Sequence, residues 1–135
     1  MNQTHNLSHR DAAQIIATIQ HVLEDRGEGA AIAVVDAHGE LLAFLRTDGC
    51  KLPSITIAMN KAFTAARERQ PTLAIGAASR EAPFPMTNFG DLRYTAWGGG
   101  IPIIYQGEVI GAVGVSGLPE EEDIKLAQLG ADSVP

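Results

Sequence analysis

Apolar positions along the chain repeat in two different rhythms. Between residues 7 and 27 they recur every three to four residues: Ala12, Ile15, Ile16, Ile19, Val22 and Leu23 fall on one stripe. That spacing predicts an amphipathic helix. Ser8 is placed to cap it, with Asp11 three residues on and Leu7 available as a staple. Gly27 or Gly29 ends it. The rhythm then changes to short unbroken runs, 30–35 and 41–45, around "DAHGE". Two apolar runs about a glycine-bearing turn predict a hairpin. Both runs are apolar on both faces, so protein must cover the sheet on each side.

Helical spacing returns over 53–70, where Ile55, Ala58, Met59, Ala62, Phe63 and Ala66 share a face behind Pro53 and Ser54. "TLAIGAA", 72–78, predicts a short third helix, and 78–93 reads as rich in coil. A second hairpin follows: strand 101–105, a turn at Gln106–Gly107, strand 108–115. "LPEEEDIKLAQLGAD" closes the chain as a helix, with Pro119 near its start and Glu120–Glu122 at the positive end of its dipole. Two hairpins among helices predict an α+β domain with an antiparallel sheet, a single domain over residues 1–135.

The second hairpin is unusually rich in glycine. Alternation along 108–116 puts Val109, Val113 and Val115 on one face, and Ile110, Ala112, Gly114 and Ser116 on the other. That second face is nearly bare towards its end. A bare face admits a close neighbour, either packed protein or a flat ligand. Gly98–Gly100 stand just ahead of the hairpin, and both roles are open for them.

Composition narrows the function classes. A length of 135 residues buries about two thirds of the unfolded surface. The net charge of −6 disfavours a nucleic-acid partner. No run of 18 apolar residues exists to enter a membrane, and the polar N-terminus lacks a leader-like apolar stretch, so a cytoplasmic location is expected. The single cysteine, Cys50, has no partner for a disulfide. Phosphate-loop, serine-hydrolase and zinc-protease signatures are missing.

Several stretches together carry a family likeness: "AIAVVDAHGELLAFLRTDGC", "SITIAMNKAFTAA", "GGGIPIIYQGEVIGAVGVSG" and the later "ED" with "AQLGA". Over roughly residues 8–132 the chain resembles the glycolate-utilisation and haem-binding protein family. That family includes the C-terminal domain of the propanediol-utilisation cobalamin adenosyltransferase. The resemblance implies a profilin-like three-layer α/β/α fold with a five-stranded antiparallel sheet. It also implies homo-oligomers, tetramers or octamers, and haem or a corrinoid as ligand in some members. Cys50 departs from the small residue usual there, and Glu40 from the histidine many members carry.

Haem iron calls for a histidine, and the resemblance points to the first helix, hence His9 or His21. By helical angle His21 lies opposite the apolar stripe, so an ordinary solvated histidine is the competing reading. Arg46, Asp48 and Lys61 match positions the family fills with the same residue types. They are read either as the grip on a carboxylate or propionate, or as ion pairs of Arg46 or Lys61 with Asp48 or Asp123. A buried Lys61 also has the makings of a Schiff-base nucleophile. Trp97, Gly98, Gly99 and Gly114 complete the candidate ligand-binding set. The aromatic loop 84–97 is expected to cover a planar ligand or a second subunit. "EEED" reads as a helix first turn ahead of an iron-binding cluster. Two functions stay open. One is an oligomeric protein binding haem or a related tetrapyrrole. The other is a small enzyme or accessory factor of a catabolic pathway, holding a carboxylated molecule through Arg46 and Lys61.

Overall fold

A computed structural model describes residues 1–134. The elements run α1 (His9–Arg26), β1 (Ala31–Asp36), β2 (Leu41–Arg46), α2 (Ser54–Glu68) and α3 (Thr72–Glu81). A 3-10 turn at Met86–Phe89 follows, then β3 (Gly100–Tyr105), β4 (Glu108–Ser116) and α4 (Glu120–Asp132). The strands form one antiparallel sheet in the order β2-β1-β4-β3. The described residues therefore hold four strands where five are expected from resemblance. The two sequence-read hairpins supply all four. Helix α3 also runs to Glu81, so the start of the expected coil is helical.

Local chemistry accounts for the ends of α1. Ser8 accepts the Asp11 N–H at 3.1 Å, and Gly27 closes the helix at φ +66°. The sheet lies between two helical layers. One face carries Ile32, Val34, Ile101, Ile103, Val113 and Val115, packed on Ile15, Ile19 and Leu23 of α1 and Leu126 of α4. The other carries Ala31, Ala33, Val35 and Ala112, against Ala58, Ala62, Ala65 and Ala66 of α2. Side chains on this second face are small, so α2 comes in very close. A Cβ added to Gly114 would stand 2.1 Å from the Ala58 carbonyl oxygen and 2.7 Å from the Ala62 nitrogen. The bare end of β4 is thus filled by a helix backbone.

One facing assignment changes. Simple alternation places Ile110 with Ala112 and Gly114. The β3–β4 register passes from Ile103↔Gly111 to Ile104↔Val109, which leaves Ile110 without an opposite residue. This bulge turns Ile110 into the α1/α4 core, where its carbonyl accepts the Leu7 N–H at 2.9 Å.

Candidate functional site

Helix α2 is the centre of the molecule. Six consecutive residues, Lys61–Ala66, are buried, since the sheet covers one side and the segment leading to β3 crosses the other. Lys61 is 3% exposed and Asp123 of α4 likewise 3%. The Lys61 ammonium donates to the Val115 carbonyl at 2.9 Å and to Asp123 Oδ2 at 3.2 Å. Asp123 Oδ1 accepts the Leu118 N–H at 3.1 Å. Burial pushes the Asp123 carboxyl above its ordinary value, and the Lys61 ammonium partly offsets this. Of the pairings weighed from sequence, Lys61 with Asp123 is therefore the one that forms. The glycine run makes room for it. Gly99 has φ +124°, and a Cβ there would lie 2.8 Å from the Lys61 ammonium. Gly98 donates its N–H to Glu120 at 2.9 Å.

A cavity of about 330 Å³ opens beside this pair, with Trp97, Gly98, Glu120 and Lys51 on its wall. Trp97 is 61% exposed at its edge. Ser54 and Ser116 also line it. Sequence reasoning did not single these two out for a site, although Ser54 was noted at the start of α2 and Ser116 on the bare face of β4.

Arg46 and Asp48 lie elsewhere. They line a cavity of about 390 Å³ between the end of α1 and β2, together with Gln20, Glu24 and Thr47. Both are exposed, and among the described residues neither has an ion-pair partner. The expected ligand-binding set is thus split. Lys61, Trp97, Gly98 and Gly99 come together at one end, Arg46 and Asp48 at another, and Gly114 is taken up by α2.

His21 is exposed on the outer face of α1, in a groove of about 330 Å³ with Gln14, Ala17, Thr18, Gln20 and Glu24. Gln20 and Glu24 line both this groove and the Arg46 cavity, so the two adjoin. His9 is exposed in the first turn of α1. Twelve residues of helix separate the two imidazoles, about 18 Å along the axis. One protomer therefore cannot offer both to a single iron. His5 is engaged with Glu108 at 2.8 Å and stacks edge-on against Tyr105.

Two other sequence-derived expectations resolve into contacts within the chain. In the 84–97 loop Phe89 stacks on Tyr94 at 4.0 Å, Phe84 sits edge-on to Phe89, and Tyr94 to Phe63 of α2. The Arg93 guanidinium lies 3.9 Å over Phe63. These aromatics cover α2 of their own chain, leaving Trp97 outside the cluster. The acidic turn of α4 disperses: Glu120 holds Gly98, Glu122 pairs with Arg26 at 3.0 Å, and Asp123 faces Lys61. No metal-holding cluster of histidine, cysteine and carboxylates occurs among the described residues. Cys50 is half-buried, its thiol pushed up by burial.

Comparison with known proteins is decisive at this point. The model of the family described as haem degrading protein HbpS-like matches residues 7–132. The chain belongs to the HbpS-like family. It is 35% identical over 116 residues to protein GlcG of Escherichia coli K12, covering 82% of this chain and 81% of GlcG. The Klebsiella pneumoniae protein ORFY superposes with a TM-score of 0.93 at 30% identity, over 100% of this chain and 97% of ORFY. A double mutant of Streptomyces reticuli HbpS superposes with a TM-score of 0.89 at 29% identity, over 100% of this chain and 91% of that one. The fold is also that of PduOC in a complex with haem, with a TM-score of 0.87 at 24% identity over 96% and 95% of the two chains. No helix of the described residues is long and apolar enough to cross a membrane.

Proposed function

We propose that this HbpS-like chain is a small-molecule-binding protein whose ligand is haem or a related tetrapyrrole, a corrinoid included, held at the outer face of α1. One observation carries the reading. The groove of His21 and the cavity of Arg46 share Gln20 and Glu24 as a common wall, and Arg46 has no carboxylate partner among the described residues. An imidazole next to a free guanidinium fits the donor set haem asks for, one group for iron and one for a propionate. The Lys61 cavity does not fit: no histidine, cysteine, methionine or tyrosine is on its wall. When bound, haem supplies a redox-active iron. The chain's own residues then have simple parts: His21 ligates, Arg46 pairs with a carboxylate, and Gln20 and Glu24 shape the seat between them.

Self-association, as a tetramer or octamer in the cytoplasm, belongs to the same proposal. A groove on the outside of one helix covers only one side of a flat ligand, and a second copy supplies the other. Leu41 and Ile104, on the two outer strands, are 51% and 62% exposed and offer further contact surface. The test is titration of the purified protein with haemin, followed at the Soret band, with light scattering for solution mass. The expected result is a saturable shifted band, weakened by His21→Ala and by Arg46→Ala and unchanged by His9→Ala. Free-haem absorbance alone in the wild-type protein overturns the reading.

A further inference from the structure

The starts of α2 and α4 converge on the cavity beside Lys61, which shares no residue with the His21 groove or the Arg46 cavity. Ser54 and Ser116 are each 5% exposed, both line it, and neither hydroxyl hydrogen-bonds to another described residue. A serine this enclosed ordinarily finds a partner within the protein. No sealed-in side-chain oxygen among the described residues lacks a partner, so these two hydroxyls open onto the cavity and bond to what enters it. Lys51 stands on the same wall and has no ion-pair partner among the described residues. Helix α2 begins at Ser54 with no side-chain cap, and the Lys51 and Leu52 carbonyls accept its Ser54 and Ile55 N–H groups. Lys61 and Asp123 neutralise one another, and Glu120 is occupied in part by the Gly98 N–H.

We propose that this cavity is a binding site for a small hydroxycarboxylate. The carboxylate is held by Lys51, the hydroxyl lies between Ser54 and Ser116, and Trp97 flanks the mouth. Lys61 is paired with Asp123 and Glu120 accepts the Gly98 N–H, so the Lys51 ammonium is the charged group on the wall without a partner among the described residues, which favours an anion. A volume of about 330 Å³ lies at the small end of ligand pockets, and the wall has no residue in common with the His21 groove or the Arg46 cavity. The site is thus a second one, independent of the haem seat.

Trp97 is the chain's single tryptophan, so its fluorescence reports on the cavity mouth. Haem-free protein is titrated with lactate, glycerate and malate, and calorimetry repeats each titration. The carboxylate-free 1,2-propanediol and the hydroxyl-free propionate serve as counterparts of lactate. The expected result is saturable binding of at least one hydroxycarboxylate, about tenfold tighter than its counterparts. Lys51→Ala and Ser116→Ala each weaken it about tenfold without moving the thermal midpoint, with Ser54→Ala as a further variant, and His21→Ala leaves it unchanged. No saturable response by either readout, or binding that survives both the Lys51 and Ser116 substitutions, overturns the proposal. The haem titration decides the other site separately.

Discussion

Replacing Gly114 by alanine tests whether the bare end of β4 exists to admit α2. The added Cβ would sit 2.1 Å from the Ala58 carbonyl oxygen, 2.7 Å from the Ala62 nitrogen and 3.1 Å from the Ala62 Cβ. Ordinary contact begins near 3.4 Å. Two of the three obstacles are main-chain atoms, and a helix backbone cannot step aside as a flexible side chain does. The helix must lift from the sheet by about an ångström, and Ala58, Ala62, Ala65 and Ala66 would lift with it. Overpacking of this kind costs about 1–3 kcal/mol, and a clash with main chain belongs at the upper end. Alanine returns about 0.4–1 kcal/mol through the lower entropy of the unfolded chain. The net loss is about 2–3 kcal/mol. Unfolding entropy is about 2.1 cal/mol/K per residue, so for 135 residues the thermal midpoint falls by about 7–10 °C. Circular dichroism of Gly114→Ala against wild type measures this. A midpoint within about 2 °C of wild type refutes the packing argument.

Lys61→Met leaves Asp123 buried without its cation and costs about 3–5 kcal/mol by urea denaturation, whereas Lys61→Met with Asp123→Leu recovers much of the loss. The Asp123 carboxyl is already raised by burial, so its protonated form favours the fold. That contribution is complete below the unfolded value near 3.8 and is lost as pH rises through the folded value, so Lys61→Met is relatively more stable at pH 4 than at pH 7. The hydrogen bond from His5 holds the Glu108 carboxyl below its ordinary value, giving stability that is present above the unfolded value and lost as pH falls. An NMR titration of Glu108 moves back up in His5→Ala. Ser8→Ala removes the cap of α1 and costs about 1 kcal/mol in the same urea assay.

The elements legible in the sequence are those whose signals are local. The α1 stripe, its Ser8 cap and its glycine end depend on residues within the helix, and all three appear as read. Both hairpins could be read because their apolar runs are short and their turns carry Gly39 and Gly107. The position of Ile110 could not be read, because a bulge is a relation between two strands and leaves no mark in one. A fifth strand came from likeness alone, and no apolar run beyond the four supports it. The site divided for the same reason. Arg46 and Lys61 look alike as cations near element ends, but only the topology sends one to the open edge of β2 and the other beneath Gly99. Ser54 and Ser116 stand 62 positions apart and meet only because α2 crosses the end of β4.

The imidazole of His21 is the point on which the haem reading turns, and vibrational spectroscopy reads that bond directly. Resonance Raman spectra of the reduced, haem-loaded protein should contain an iron–imidazole stretching mode. In His21→Ala the mode should vanish, and added free imidazole should restore it. A wild-type spectrum without that mode, or an unaltered mode in His21→Ala, contradicts the assignment.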